Sequence, residues 1–368
     1  MTGSDESSVD DAAWLAARAR QVDELGSRLD DVERALLAQL YFASGGAREG
    51  LALARSRSAE GAALSLIEAR ARFALGDVSA ALSLVEQRLA ARPEDLLALY
   101  YKAQLLAQSG RALDSVGVLG ALIERMPDFP GALELLAPLV FPGPSYRDIL
   151  RRLHATLRPR TYLEIGVEHG TTLAFATHSE HVIGIDPAPA PAVPTRARYF
   201  QMTSDVFFER HARADVLPHP VDLAFIDGKH WFDYALRDFC ALEAWCEPGS
   251  TIVLHDCLPV ASAAAARVRR TRFWVGDTWK ALECLLAERR DLSISVIPCH
   301  PSGLVIVRRL DPSSTLLRRR LDELIGCYLP LEYPHAPGAL PPSYPVVPNT
   351  EPQLERLFGS FHGAVRGA

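Results

Sequence analysis

Lysine is scarce in this 368-residue sequence: it occurs only at Lys102, Lys229 and Lys280, and arginine carries nearly all of the positive charge. We read that bias as base composition rather than function. With a net charge of -6 and a pI near 6.0, the chain has no general attraction to nucleic acid or to an anionic membrane. None of the six cysteines (Cys240, Cys246, Cys257, Cys284, Cys299, Cys327) stands in C-x-x-C spacing, so zinc and redox pairs give way to buried free thiols in a reducing compartment. No uninterrupted apolar run approaches the ~20 residues that span a bilayer. The opening MTGSDESSVDDAAW is acidic and polar, where a secretory leader is basic and apolar. A soluble, cytoplasmic protein is expected.

What is present can build a large core. Hydrophobic residues make up 48% of the chain, and its length is more than one average domain needs. Residues 1–12 are short, polar and acidic and are expected to be disordered. Residues 13–141 are rich in Ala, Leu, Arg and Glu with apolar positions at helical spacing, which predicts an all-α domain. This stretch also repeats. Gly76 and Gly110 lie 34 residues apart, as do Pro93 and Pro127, and a degenerate copy surrounds Gly45-Gly46. The order helix, glycine turn, helix, proline resembles the tetratricopeptide repeat, with Gly76, Ala81 and Pro93 on its marked positions. Ser115 replaces the second copy's small alanine, and the large aromatics of the pattern are mostly missing. Such helices either pack on the next domain or dock a protein partner or a second copy of the chain.

Phe141-Pro142-Gly143-Pro144 interrupts the helical pattern and marks a boundary. From 142 to 312, after a lead-in helix, short apolar runs alternate with helical stretches, giving strands near 161–166, 181–186, 198–202, 221–227, 250–256, 293–298 and 303–309. Alternation of this kind predicts a mostly parallel sheet covered on both faces. Only His300-Pro301-Ser302 separates the last two runs, so they must form an antiparallel hairpin at one edge. Residues 313–368 read as a helix, then an extended proline-rich arm lying on the body or across a neighbour, then a disordered tail.

Thr161 to Asp186 is the stretch the second domain is built around. It reads strand (Tyr162, Leu163, Ile165), glycine turn (Gly166-Val167-Glu168-His169-Gly170), helix-like segment, strand, and acid (Asp186). That order matches the first half of a doubly wound nucleotide site, in which glycines admit the ligand and the next strand's acid accepts a ribose hydroxyl. A dinucleotide's pyrophosphate calls for G-x-G-x-x-G and amide donors. Here the middle glycine is missing, and Glu164 and Glu168 place carboxylates where phosphates would lie. S-adenosylmethionine, with its ammonium and sulfonium and no phosphate, suits these acids better than NAD.

Three motifs follow: Ile226-Asp227-Gly228-Lys229-His230, then Asp238, then Pro248-Gly249-Ser250 with His255-Asp256. With the turn and the terminal hairpin, they resemble the class I S-adenosylmethionine-dependent methyltransferases, in the branch carrying I-D-G-x-H and H-D. The resemblance covers about residues 145 to 310. It implies an α/β, Rossmann-like seven-stranded methyltransferase sheet with an antiparallel terminal hairpin, preceded by the all-α helical-repeat domain. By that resemblance Glu164, Gly166 and Gly170 line the methionine end of the cofactor, Asp186 binds both ribose hydroxyls, and Asp205 lies near the adenine or else caps the helix it begins. Lys229 stands at a freely varied position.

Asp227 and His255-Asp256 stand at neighbouring strand ends across the crevice. Carboxylate, imidazole and carboxylate suit Mg²⁺ or another divalent cation, as in the similar metal-dependent small-molecule O-methyltransferases, although His255 departs from the acid usual there. The alternative is a hydrogen-bonded Asp-His pair without metal. His230 is the expected general base, an imidazole that titrates near pH 7, with Asp227 beside it as the second catalytic residue. Trp231, Phe232 and Trp274 are expected on the acceptor, a small molecule such as a specialised metabolite or sugar. The reading is O-methylation of its hydroxyl. The alternatives are N- or C-methylation of a carrier- or protein-bound substrate and a non-catalytic repeat scaffold; NAD-dependent redox chemistry stands third.

Overall fold

The computed structural model describes residues 75–189 and 196–361 continuously, with 31–43 and scattered single positions before them. The expectations for residues 1–12, Gly45-Gly46 and 362–368 lie outside the described residues. The chain divides into two compact units, Met1–Val140 with Val268–Trp274, and Phe141–Arg267 with Val275–Ala368.

The first unit contains α1 (Asp31–Ala43), α2 (Val78–Ala91), α3 (Leu96–Gln108), α4 (Ala112–Arg125) and α5 (Ala132–Val140). Acids start two of them: Asp77 accepts from the Ala80 amide at 3.2 Å and Asp95 from the Ala98 amide at 2.9 Å, satisfying amides that a helix start leaves unpaired. Ser115 is buried, and its hydroxyl donates to the Ala103 carbonyl at 2.8 Å, so the polar replacement is satisfied by the neighbouring helix. Buried Arg88 is matched by Asp95 at 2.6 Å and by Glu33. Within the same unit, the Arg272 amide donates to Asp128 at 2.6 Å and its guanidinium lies over the Tyr41 ring.

The second unit is built on a seven-stranded sheet: β1 (Thr161–Ile165), β2 (His181–Ile185), β3 (Ala197–Phe200), β4 (Val221–Ile226), β5 (Cys246–His255), β6 (Ser293–Ile297) and β7 (Leu304–Arg308). Their spatial order is β3-β2-β1-β4-β5-β7-β6. The first five run parallel, and β7 lies antiparallel between β5 and β6. It is a Rossmann-like sheet with an antiparallel hairpin at one edge. The order reverses between β1 and β4, which opens a crevice at their carboxyl ends.

Helix α6 (Tyr146–Leu157) begins at a capping box in which Ser145 and Asp148 bond each other's backbone amides. It lays Ile149, Leu150 and Leu153 on the sheet residues Tyr162, Leu223, Phe225 and Val253. The remaining helices of this unit used below are α7 (Ser204–Arg210), α8 (Phe232–Glu243), α9 (Trp279–Glu288), α10 (Leu321–Tyr328) and α11 (Glu351–Gly359). Among the described residues no helix is long and apolar enough to cross a membrane.

Two local expectations fail here. The segment after the glycine turn is one 3-10 turn (Leu173–Phe175), not a helix. The crossover from Ile165 to His181 is near the shortest that can join parallel strands, and the glycine turn takes up its first third. Beyond the arm, residues 351–361 are not a disordered tail. Leu354, Phe358 and Phe361 recur at helical spacing and enter the sheet's core cluster. The arm itself lies on the second unit: the Val296 amide donates to the Pro345 carbonyl at 3.0 Å and the Val347 amide to the Val296 carbonyl at 2.8 Å. The open edge of β6 is thereby covered.

Candidate active site

Gly166 follows β1 with φ of 86°. A Cβ there would stand 1.8 Å from the Asp227 carbonyl oxygen, so only glycine lets the ends of β1 and β4 approach this closely. Its amide donates to Ile185 and the Asp227 amide donates to Ile165. The turn is therefore tied to both neighbouring strands. Asp186 completes the tie, its Oδ2 accepting from the Val167 and Glu168 amides at 2.9 Å each and its Oδ1 from Ala188 at 2.8 Å. An ionised carboxylate accepts about four hydrogen bonds, so one acceptor place remains for a ligand hydroxyl. Gly170 closes the turn, its amide donating to Val167 at 2.8 Å.

The two acids expected beside the turn differ in state. Glu164 is fully buried and accepts from the Tyr162 hydroxyl at 2.7 Å and the Thr172 hydroxyl at 2.6 Å. Burial pushes its carboxyl up to about 8, against the pull of those two donors. It is largely protonated at neutral pH. Glu168 projects into solvent, 3.3 Å from His169, where water screens its charge. The carboxylates that face the crevice are therefore Asp186, Asp227 and Asp256.

Asp227, His230 and Asp256 each bring one potential ligand atom within 4.8 Å of the others. His230 Nε2 lies 3.4 Å from Asp227 Oδ1 and 3.1 Å from Asp256 Oδ2. Two non-glycine residues of this group hold left-handed backbone, His230 at φ of 59° and Asp256 at 58°. Such conformations cost roughly 1–3 kcal/mol each and persist where the surroundings enforce them. Gly276 is one enforcer: a Cβ on it would meet the His230 carbonyl at 1.9 Å. Asp277 is another, its amide donating to that carbonyl at 3.0 Å and its Oδ1 accepting from the Phe232 amide at 2.8 Å. Asp277 thus caps α8, not the α9 helix that it precedes in sequence.

His255 does not join the cluster as expected. Its Nδ1 lies 3.1 Å from Asp227 Oδ1 and its Nε2 3.3 Å from the Ser302 hydroxyl, so both ring nitrogens are engaged. Tyr146 stacks on the ring at 4.2 Å between centroids. His255 shares a face with Val253, the face that carries α6, and Asp256, in left-handed backbone just past the strand, brings its Oδ1 within 3.3 Å of His255 Nδ1. Burial depresses the His255 imidazole, but Asp256 and Asp227 more than offset it and raise its pKa. Burial would likewise raise Asp227, yet His255 and His230 hold it well below the usual carboxylate range. Ser302 donates to Asp256 Oδ1 at 2.5 Å. Asp256 Oδ2 is buried without a hydrogen-bond donor.

Three residues were invisible to sequence reasoning: Tyr146, Ser302 and Gly276. Each arrives from a distant segment and carries no motif. Asp238 lies on α8 beside the same small cavity as Asp227, Lys229, His230, His255 and Asp256. Burial pushes its carboxyl up to about 7, and it hydrogen-bonds Ser204 at the start of α7, tying down that loop rather than His230. Asp205 is exposed in the first turn of α7.

Of the residues expected on the acceptor, Trp231 is half-buried beside His230. Phe232 is a correction. It is wholly buried and packs near Tyr328, because Phe232, Leu236 and Phe239 form the core stripe of α8. Trp274 falls in the first compact unit, where Arg269 lies over its ring, and is absent from the cavity lining.

Residues 163–257 match a family model described as a methyltransferase domain. No curated protein matches the sequence. Among solved structures the chain is similar to an O-methyltransferase from Bacillus cereus in complex with SAH, with 14% identity over 52% of this chain and 96% of that one (TM-score 0.37). It is also similar to TomG of Streptomyces achromogenes, an O-methyltransferase involved in tomaymycin synthesis, in complex with SAM (16%, 49% and 89%, TM-score 0.36). A third is MycE from the mycinamycin biosynthetic pathway, in complex with Mg, SAH and mycinamycin VI (17%, 50% and 60%, TM-score 0.33).

Proposed function

We propose that the chain is an S-adenosylmethionine-dependent O-methyltransferase acting on a small-molecule hydroxyl, with a divalent cation assisting. The observation that carries this reading is the meeting of Asp227, His230 and Asp256 at the ends of β4 and β5. They stand next to a glycine turn whose amides are pinned by Asp186.

In this reading Asp186 accepts from one ribose hydroxyl, and the turn lies along the methionine end of the cofactor. When bound, that cofactor supplies a methyl group already activated by a positive sulfur. The protein's share is alignment and proton removal. His230 Nε2 would take the hydroxyl proton as the acceptor oxygen receives that methyl group and the sulfur leaves as a neutral thioether. Asp227 and Asp256 then face the imidazolium and stabilise it, which would favour proton transfer in that direction.

A divalent cation fits the same place. Asp227 and Asp256 are hard oxygen donors, and Asp256 Oδ2 is a buried carboxylate oxygen that makes no hydrogen bond, with His230 Nε2 3.1 Å away. Bound there, such an ion would lower the pKa of an acceptor hydroxyl. His255, engaged at both nitrogens, would support Asp227 from behind rather than coordinate.

The helices of the first unit are read as divergent tetratricopeptide-like repeats that dock a protein partner or a second copy of the chain. A monomer at every concentration in sedimentation would count against self-association. The enzymatic reading is tested by a thermal shift on adding S-adenosylhomocysteine, with NAD as the control. Stabilisation by S-adenosylhomocysteine alone supports it, and no shift at about 1 mM ligand favours a scaffold.

A further inference from the structure

Lys229 differs from the other two lysines of the chain. Lys102 is paired with Glu86 at 3.0 Å, and Lys280 is buried against Asp277 and the Leu329 carbonyl. Lys229 is exposed and has no carboxylate at ion-pair distance among the described residues. Its ammonium instead rests on two rings, 3.9 Å from the centroid of Trp231 and 4.4 Å from that of Tyr234.

The platform beneath it is fixed. Trp231 donates through Nε1 to the Arg267 carbonyl at 3.1 Å, and its ring meets Tyr234 edge-on. Arg267 also contacts the Trp231 ring, at 4.3 Å, but its charge is matched by Asp233 at 2.7 Å. Arg237, near Tyr234, is matched by Asp233 as well. Lys229 is therefore the one cation of this cluster without an acidic partner among the described residues. It adjoins His230 in sequence and lines the same cavity as Asp227, His230 and Asp256.

An exposed lysine ordinarily samples many rotamers in water, and its charge is poorly placed for any one ligand. Aromatic faces restrict it without neutralising it. The ordering cost of binding an anion at that position is thus reduced beforehand.

We propose that Lys229 is a specificity-determining residue that holds an anionic group, a carboxylate or phosphate monoester, on the acceptor whose hydroxyl is presented to His230. The scarcity of lysine read earlier as base composition thereby leaves one lysine with a specific task. This inference rests on the methyltransferase reading.

The test uses the full chain. S-Adenosylhomocysteine binding is measured first by calorimetry, for wild type and Lys229→Met. Methyl-labelled S-adenosylmethionine is then offered with paired hydroxyl compounds: 3-hydroxybenzoate against 3-hydroxybenzamide, and glucose 6-phosphate against glucose. We expect labelling to favour the anionic member of a pair. Lys229→Met should lower kcat/KM for that member by roughly tenfold, through KM rather than kcat, with an unchanged melting temperature and unchanged S-adenosylhomocysteine affinity. Lys229→Arg should retain most of the preference. Absence of S-adenosylhomocysteine binding would refute the methyltransferase reading and this inference with it. Binding accompanied by labelling of neutral members only, by no labelling, or by an anion preference that survives Lys229→Met would overturn the inference alone.

Discussion

Asp186 and Val167 are joined by a hydrogen bond of 2.9 Å from the Val167 amide to Asp186 Oδ2, and the Glu168 amide makes a second to the same oxygen. The acid that ends β2 thus shapes the turn that ends β1. Asp186→Ala should release three amides at once, two of them in the turn, and remove the acceptor offered to a ribose. Cofactor affinity should fall at least roughly tenfold, about 1.4 kcal/mol. Equilibrium binding of S-adenosylhomocysteine checks this, and an unchanged affinity would assign Asp186 to the turn alone.

Ser302 anchors Asp256 through its 2.5 Å hydrogen bond and also reaches His255 Nε2. Replacing it with Ala frees the Asp256 carboxylate to rotate. Partners one step behind a ligand commonly contribute roughly 10–100-fold to metal affinity or activity. Ser302→Ala should accordingly weaken Mn²⁺ binding, read by paramagnetic relaxation, by about tenfold. Equal Mn²⁺ affinity in wild type and variant would remove Ser302 from the account.

The cation itself is open to direct removal. Chelation should abolish methyl transfer and added Mg²⁺ should restore it, while Asp227→Ala should be inactive under both conditions. Because Asp227 is tied to the glycine turn through its backbone amide, which the substitution keeps, Asp227→Ala should still bind S-adenosylhomocysteine. Turnover indifferent to chelator would leave proton removal to His230 without a metal.

Glu164 predicts a pH signature in stability. Its carboxyl ionises near 4.5 when unfolded and near 8 in the fold, so the unfolded state loses the proton first. Stability is greatest below about 4.5, falls as pH rises towards about 8, and then levels off, a contribution on the order of a few kcal/mol. Glu164→Gln should flatten that slope. Denaturant melts at pH 5 and pH 8 give the comparison, and parallel pH dependences in both proteins would contradict the burial argument.

Much of the second unit was legible because its physics is local. Seven apolar runs, the glycine turn and the Asp186 strand end are properties of contiguous residues, and the short His300-Pro301-Ser302 gap between the last two runs left only a hairpin. The failures are instructive. His255 and Asp256 were read as one ligand pair, yet both His255 ring nitrogens are taken up by Asp227 and Ser302, and the sequence does not show that Ser302 arrives there. Phe232 belonged to a visible i, i+4, i+7 stripe with Leu236 and Phe239. Leu354 and Phe358 carried the same signal within the segment read as a disordered tail. Tyr146, Ser302 and Gly276 could not have been found this way, because their meeting with His255, Asp256 and His230 is decided by how distant segments pack.

The central claim is that the turn after Ile165 receives a sulfonium cofactor. Calorimetric titration of the full chain with S-adenosylhomocysteine tests it most directly. The account predicts saturable heat with a Kd in the micromolar range, about -8 kcal/mol, which Asp186→Ala diminishes. No heat up to about 1 mM ligand, or heat unaffected by that substitution, would contradict it.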